Sequence, residues 1–243
     1  MSHPLNNIGF YTSDTHPCSY LDTKETVTLF ADPQARLSPE IYGHLVQLGF
    51  RRSGSHVYRP HCPSCSACIP LRLPVAEFKA RRREQRILRK NVDLRITTNQ
   101  TRLTDQHRRL YREYIGSKHP GGGMETMSDA DIESFLFCDW SDTRLLELWH
   151  GNELVGVAAI DQFPDALSSV YTFYSINHAQ RSLGSFAILK TIELAQRLNL
   201  RWLYIGYWIG ACDKMSYKTQ FRPFEYLSQG RWHRASKDNE IRL

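Results

Sequence analysis

Three of the chain's six cysteines lie within seven residues, in the turn RPHCPSCSACIPLR. Cys62, Cys65 and Cys68 repeat at a C-x2-C spacing, which lets neighbouring thiolates reach one metal ion. Sulfur ligands select zinc or an iron–sulfur cluster. A fourth ligand would come from Cys18 or His61. The pattern therefore predicts a metal or cluster site, and the alternative is a set of reduced thiols packed in the turn.

A strongly basic segment follows at residues 79–90, KARRREQRILRK. Its seven Lys/Arg and one Glu carry +6, which equals the net charge of the whole chain. The sequence predicts a helix over 77–90 with an apolar back and a cationic face about 120° wide. That face consists of Lys79, Arg82, Arg83, Arg86, Arg89 and Lys90. Arginine suits bidentate phosphate contacts, so the pattern favours RNA recognised by its shape over a merely solvated basic surface.

A third pattern, Arg181-x2-Gly184-x-Phe186, follows the stretch SSVYTFY. It is similar to the R/Q-x2-G-x-G/A loop of GNAT acetyltransferases, which offers backbone N–H groups to a phosphate at a helix N-terminus. Phe186 stands where that loop has Gly or Ala, and this departure disfavours coenzyme A. The pattern still favours an acyltransferase fold.

Aromatic and cationic residues alternate between Tyr204 and Glu225. Lys214 and Lys218 lie four residues apart, hence on one face of a predicted helix, and Arg222 follows. This arrangement suits a phosphate backbone or an acidic group held beside stacking rings. The alternative is a core strand followed by an ordinary amphipathic helix, which accounts less well for the paired lysines.

The elements that position these residues can be predicted from caps and periodicity. A helix begins after Ser38, an N-cap that precedes Pro39, and strands flank the cysteine turn at 50–59 and 67–75. Residues 1–37 are expected to be irregular. Other helices are expected at 104–118, from Ser128 and near 212–220, and strands at 92–98 and on both sides of a turn at Gly151-Asn152.

The order of elements predicts the fold class. From about residue 144 it reads β-β-β-α-β-α-β, with one last strand over FEYLSQGRWHR. We expect an α+β protein in which a smaller cysteine-containing domain at 1–98 precedes a GNAT-like acyltransferase domain at 99–243.

Composition argues against several classes of protein. The chain is 41% hydrophobic and 23% charged, as ordinary globular proteins are. It has no run of 18 apolar residues for a membrane span and no secretory signal pattern. We therefore expect a cytoplasmic protein with reduced thiols, in which the isolated Cys138 and Cys212 are small core residues.

Five stretches together resemble the arginyl-tRNA–protein transferase family, and most of all its bacterial branch. They are CSYL at 18–21, YRPHCPSCSACIPLRL at 58–73, the helix RRxxRxLRKN, SSVYTFY with RSLGSFAIL, and KMSYKTQFRPFE. The resemblance runs nearly end to end. The chain departs from the family in having a single cysteine at 18–21, and Ser175-Ile176-Asn177 where Asp-Pro-Asp is usual.

The resemblance implies a cytoplasmic aminoacyltransferase with a GNAT-like catalytic domain. It would transfer an aminoacyl group from charged tRNA, leucyl-tRNA in the bacterial branch, to the α-amino group of proteins beginning with Asp or Glu. The product would be marked for degradation. The aminoacyl ester is already activated, so the chemistry requires no cofactor and no enzyme nucleophile. Zinc or iron–sulfur binding is associated with the family's cysteines.

The resemblance and the residue types together imply roles for individual side chains. They assign tRNA binding to the cationic face of 79–90; catalysis to Tyr171, Tyr174 and Asp161, with Asp161 as proton acceptor; donor binding to Arg181, Ser182 and Tyr207; acceptor binding to Arg72, Lys214, Tyr217, Lys218 and Arg222; and metal binding to Cys18, Cys62, Cys65 and Cys68.

Three alternatives stay open from the sequence. An arginyl donor on the same scaffold would need a carboxylate in the donor pocket, whereas a leucyl donor needs an apolar one. An acetyl-CoA enzyme would have to tolerate Phe186. A non-catalytic metal-bound module would bind RNA in a salt-sensitive way without acyl transfer.

Overall fold

The computed structural model describes residues 8–99, 102–235 and 241, and an eight-stranded mixed sheet organises its fold. The strands are β1 (Phe10–Thr12), β2 (His16–Pro17), β3 (Glu25–Thr26), β4 (Thr28–Ala31), β5 (Arg51–Ser53), β6 (His56–Pro60), β7 (Ile69–Pro74), β8 (Arg95–Asn99), β9 (Asp142–His150), β10 (Glu153–Gln162), β11 (Ala166–Tyr174), β12 (Trp202–Trp208), β13 (Glu225–Ser228) and β14 (Arg231–Arg234). The helices are α1 (Pro39–Gln47), α2 (Arg82–Lys90), α3 (Asp105–Lys118), α4 (Asp129–Leu136) and α5 (Leu183–Arg197). The large sheet has the order β14-β13-β7-β12-β11-β10-β9-β8.

Helices cover both faces of this sheet, which confirms the α+β class. On one face α2 and α5 pack through Ile87, Phe186 and Ile192, and on the other α3 and α4 pack through Tyr111 and Ile132. Because both faces are covered, β10 reads as the continuous apolar run LVGVAAI instead of alternating. No helix in the described ranges has the length and apolar composition that a bilayer crossing needs.

The N-terminal strands form a second sheet, in the order β1-β4-β6-β5, while β2 pairs with β3. Helix α1 begins as predicted: the Ser38 Oγ accepts the Ile41 backbone N–H at 3.3 Å, and Pro39 opens the helix. Tyr42 meets Phe163 edge-on, with 5.2 Å between ring centroids, so α1 is anchored to the large sheet. The prediction of irregular chain was therefore wrong from residue 8 onward, where four short strands form; residues 1–7 lie outside the described part.

The basic helix is shorter than predicted. Residues 75–77 form a 3₁₀ turn and α2 begins at Arg82, so Lys79 lies before the helix. Glu84 fixes this start because its carboxylate accepts the Arg81 backbone N–H at 3.0 Å.

Two segments predicted as single strands are hairpins. Residues 50–59 divide into β5 and β6 around Gly54, where φ is +58° and an added Cβ would lie 2.6 Å from the Ser134 carbonyl oxygen. The last strand divides into β13 and β14 around Gln229-Gly230, both with positive φ. The helix predicted near 212–220 is a 3₁₀ segment, Asp213–Gln220.

The large sheet takes strands from both sides of the predicted boundary at residue 98. Strand β7 lies between β12 and β13, with Leu73 opposite Leu203 and Leu71 opposite Tyr226. Strand β8 forms the edge beside β9. The two segments thus share one sheet, and their division into domains stays a prediction.

Candidate active site

The parallel strands β11 and β12 separate in the middle of the large sheet. They pair only through Ala166–Ser168 and Trp202–Tyr204, and a register shift follows on the other side of each strand. Residues 169–174 and 205–208 then border a gap, which we call the β11–β12 opening. An opening at the carboxyl ends of parallel strands is a usual position for a ligand, and Tyr171 and Tyr174, which were predicted to be catalytic, border this one.

Two cations enter the β11–β12 opening. Arg51, from β5, donates to the Ser168 Oγ at 3.0 Å and to the Ser169 carbonyl. Lys218 donates from its Nζ to the Tyr207 carbonyl at 2.6 Å. Gly206 makes room for both, since an added Cβ would lie 3.3 Å from the Lys218 Nζ and 3.6 Å from the Arg51 Cζ. Arg51 has no signal in the sequence, because only the folded sheet brings β5 to β11.

A cluster of aromatic rings forms one side of this region. The rings of Tyr114 and Tyr174 are 4.9 Å apart between centroids, and Tyr171 and His119 both meet Tyr114 edge-on. The Tyr174 ring packs so closely on Gly184 that an added Cβ would lie 2.9 Å from it. Burial raises the pKa of Tyr114 and Tyr171, so both keep a hydroxyl proton at neutral pH. The structure thus brings Tyr171 and Tyr174, which were predicted to be catalytic, together with Tyr114 and His119, which were not.

His119 is the member of this cluster whose side chain can exchange a proton near neutral pH. It is half-buried at the C-cap of α3. Burial, and then the nearby Lys214 and Lys118, lower the pKa of its imidazole. The ring is therefore mostly neutral at pH 7. Lys214 itself is exposed and lies near His119.

The predicted phosphate loop is tied to the end of the basic helix. The Lys90 Nζ donates to the Gln180 carbonyl at 3.1 Å, and the Asn91 side chain donates to the Arg181 carbonyl at 2.9 Å. Arg181 forms a bidentate ion pair with Asp93 at 2.8 Å. Its guanidinium therefore fixes the loop, and the neighbouring Ser182 has a left-handed backbone at φ 55°. Donor binding by Arg181 and Ser182 stays a prediction.

Phe186 has a physical reason to depart from the GNAT loop. Phe186 is part of the apolar face of α5, and its ring is buried in the core between that helix and the sheet. The position therefore packs the helix onto the sheet, whatever ligand the loop takes.

The basic surface is the solvent-facing side of α2, formed by Arg82, Arg83, Arg86 and Arg89, all exposed. The apolar back of the helix is buried at Ile87. Two further arginines extend this surface at its start. Arg81 precedes α2, and its charge, after burial, lowers the pKa of Arg222. Arg222 thus lies beside the basic surface.

Asp161 is not placed to accept a proton, and we correct that prediction. Its carboxylate is fully buried and paired with Arg52, with 2.6 Å from Arg52 Nε to Oδ2 and 2.7 Å from Nη2 to Oδ1. The Thr143 hydroxyl donates to Oδ1 at 2.8 Å. A carboxylate that accepts three such bonds out of reach of solvent holds the fold together and cannot meet a substrate amine.

Arg72 is also a structural residue, which corrects its predicted role in acceptor binding. Its guanidinium lies between the rings of Trp202 and Trp232, 3.7 and 4.2 Å from their centroids. It is paired with Glu225 at 2.7 Å. With both faces stacked and its charge neutralised, Arg72 joins β7 to β12, β13 and β14.

Tyr207 and Tyr217 lie on different sides of the opening. The Tyr207 hydroxyl donates to the Gly49 carbonyl at 2.7 Å, and the ring lines a cavity shared with the cysteines instead of the predicted donor site. Tyr217 is half-buried. Burial and the nearby Tyr174 raise the pKa of its hydroxyl, and the charge of Arg51 lowers it by less, so the pKa is raised overall. Tyr217 therefore connects the aromatic cluster to the two cations.

The four predicted metal ligands line one cavity of 490 Å³ between the N-terminal strands and β7. Burial, and then the sulfurs of Cys18, Cys62 and Cys65, raise the pKa of Cys68 to about 12. Their type and common orientation fit a soft metal. Within the described ranges, however, no three of these sulfurs lie within 4.8 Å of one another. Four ligands on one zinc ion would stand closer, so the loop must tighten to hold a metal.

The sequence predicted core positions for the two isolated cysteines. Cys138 and Cys212 are half-buried rather than in the core. Among the residues that the structure describes, His150, Glu153 and His178 are the only three potential ligands within 4.8 Å of one another. They lie near the solvent, beside the turn between β9 and β10.

Two family models match the chain. The model described as arginine-tRNA-protein transferase, N terminus, matches residues 16–86, and the corresponding C-terminal model matches residues 106–228. Together they span the cysteine turn, most of the basic helix and the β11–β12 opening.

Bacterial aspartate/glutamate leucyltransferases match nearly the full length of this chain. The aspartate/glutamate leucyltransferase of Alcanivorax borkumensis is 46% identical over 236 residues, which cover 97% of this chain and 98% of the relative. That of Saccharophagus degradans is 44% identical, covering 94% and 97%. Among solved structures, FemX has a TM-score of 0.46 at 9% identity over 85% of this chain and 81% of its own. A tandem GNAT protein from the clavulanic acid pathway has a TM-score of 0.43 at 13% identity, covering 76% and 55%.

Proposed function

The chain belongs to the arginine-tRNA-protein transferase family, and we propose that it transfers leucine from leucyl-tRNA to proteins whose first residue is Asp or Glu. The observation that carries this proposal is the identity to leucyltransferases over nearly the whole of both chains. Arginyl transfer is not favoured, because these relatives are named for leucine. We place the reaction in the cytoplasm, with degradation of the labelled protein as its outcome.

The chemistry needs positioning more than activation. The α-amino group of the acceptor attacks the carbonyl carbon of the aminoacyl ester, an amide bond forms, and the ester bond to the tRNA breaks. The departing 3′-terminal ribose oxygen takes a proton as the amine loses one. Holding both reactants in one opening can supply much of the rate enhancement. Hydroxyl donors near the ester, such as those of Tyr114 and Tyr174, would stabilise charge that develops on the carbonyl oxygen.

The surface and the opening suggest a path for the donor. The basic surface on α2 would bind phosphates of the acceptor stem, and α2 ends where the loop before α5 begins. From that loop the 3′ end would reach Tyr174, which packs on Gly184. Since the amine must be neutral to attack, a neutral His119 near Tyr114 is a candidate proton acceptor.

A transfer assay tests the proposed function. With labelled leucyl-tRNA, we expect leucine on peptides beginning with Asp or Glu and none on peptides beginning with Lys or Ala. Labelled arginyl-tRNA run in parallel should give no product. Arginine on the acidic peptides would overturn the choice of donor. Absence of transfer from either tRNA, with tRNA still bound, would instead favour an RNA-binding module.

We also propose that Cys18, Cys62, Cys65 and Cys68 hold a zinc ion or an iron–sulfur cluster. The group would fasten the cysteine turn to the N-terminal strands, and no step of the transfer passes through it. Protein purified without oxygen should contain about one zinc ion or cluster per chain, detected by elemental analysis and absorption spectra. Cys65→Ser with Cys68→Ser should lose it, whereas Cys138→Ser should not. Metal-free protein with full transfer activity would return these thiols to packing.

A further inference from the structure

The Arg51 and Lys218 side chains approach each other at the β11–β12 opening. Both are half-buried and both flank Gly206. Within the described residues neither forms an ion pair with a carboxylate. Their hydrogen bonds go to uncharged groups, the Ser168 hydroxyl and the carbonyls of Ser169 and Tyr207. Charges held out of water are normally paired. Two partly buried cationic side chains without a carboxylate partner among the described residues therefore form a favourable site for an anion.

The surroundings favour a small anion over a nucleic-acid backbone. The pair lies just beyond the last rung of β11 and β12, at Ser168 and Tyr204, and Tyr217 lies near Arg51. Phosphates of a stem already have the exposed arginines of α2 to bind. A planar carboxylate can accept hydrogen bonds from a guanidinium and an ammonium at once.

We propose that Arg51 and Lys218 together bind the side-chain carboxylate of the acceptor's first residue. The inference rests on the proposed function, and it selects among the cations named from the sequence. Arg72 is paired with Glu225, Arg222 lies beside Arg81, and Lys214 is exposed. Only Lys218 of that set lies in the opening, and it acts with Arg51, which the sequence did not reveal.

We expect this site to distinguish acceptors by the charge of their first side chain and not by its size. An amide in place of the carboxylate keeps one acceptor oxygen, but it carries no charge and sets its NH₂ group against a cationic donor. Sites in which a polar group loses its partner in this way discriminate strongly. Burial and the Arg51 charge lower the pKa of Lys218 to about 7. Some Lys218 is therefore neutral before the acceptor arrives, and a bound carboxylate favours the protonated form.

The test compares peptides that differ only in having Asp or Asn first. Wild-type protein with leucyl-tRNA should prefer the Asp peptide strongly in kcat/KM. Lys218→Met should lower kcat/KM for the Asp peptide at least ~30-fold, mainly through KM, and leave the Asn peptide within ~3-fold. Arg51→Gln should act in the same direction. Lys190→Met, the same change on α5, should keep the wild-type preference, and thermal unfolding verifies that each variant is folded.

The outcomes separate this inference from the proposed function. Absence of leucine transfer by wild-type protein would refute the function itself. Transfer with an undiminished Asp preference in both folded variants would refute the carboxylate site. Equal losses on both peptides, together with weaker tRNA binding, would make the pair a phosphate site and would also overturn the proposal.

Discussion

Replacing Asp161 with alanine will lower the free energy of unfolding by about 3–5 kcal/mol. The change leaves the Arg52 guanidinium buried without its counter-ion, while that guanidinium still reaches the carbonyls of Gly54 and Leu136. Removing one partner of a buried pair is more damaging than removing an exposed one, because the remaining charge cannot return to water. Chemical denaturation, followed by tryptophan fluorescence, measures the difference.

Two controls give this prediction a sharp form. Asp105→Ala removes a nearly fully exposed carboxylate 3.3 Å from Arg108 and should change stability by about 1 kcal/mol or less. Combining Arg52→Met with Asp161→Leu removes both charges, and should destabilise less than Asp161→Ala alone. If Asp161→Ala were no more damaging than Asp105→Ala, the pair would not be a structural element, and a chemical role for Asp161 would be open again.

Reversing Arg82, Arg83 and Arg86 to glutamate will weaken tRNA binding by about 100-fold near physiological salt while the fold survives. These side chains face solvent, whereas the buried side of α2 at Ile87 is untouched. Each lost phosphate contact should also reduce the dependence of affinity on salt, by about 0.7–0.9 in the logarithmic slope. Fluorescence anisotropy with labelled tRNA at several salt concentrations measures both quantities.

The matched control is Arg36→Glu with Arg102→Glu and Arg197→Glu, three exposed arginines outside α2. This variant should bind tRNA within ~3-fold of the wild type, because a general change in net charge acts weakly once salt screens it. Equal weakening in both variants would mean that tRNA responds to overall charge and that α2 is not its contact surface.

Local chemistry made part of the fold predictable. Ser38 and Ser128 cap helices through their own hydroxyls, and the turn at Gly151-Asn152 joins two strands that pair directly. Each of these features depends on residues only a few positions apart. The same local patterns misplaced the start of α2. The helix begins after Arg81, whose backbone N–H is capped by the Glu84 carboxylate, and nothing within the continuous run of basic residues marks that position.

The candidate site was harder to predict, because its residues acquire their roles from distant partners. Asp161 at the end of a strand has the same sequence pattern whether it faces a substrate or Arg52, 109 positions earlier. Arg51 bonds to Ser168 across 117 positions. Lys218 could be named from its spacing, but only the separation of β11 from β12 distinguishes it from Lys214. Long-range pairing, which no local pattern encodes, decides which polar residues are free for chemistry.

The position of β7 bears on any attempt to divide the chain. A fragment that begins after residue 98 would contain β12 and β13 but not the strand that hydrogen-bonds to both. Its sheet would break into two pieces with exposed edges, and such edges recruit other chains. We therefore do not expect the segment after residue 98 to fold alone, because the strand that follows the cysteine turn is part of the sheet that contains the opening.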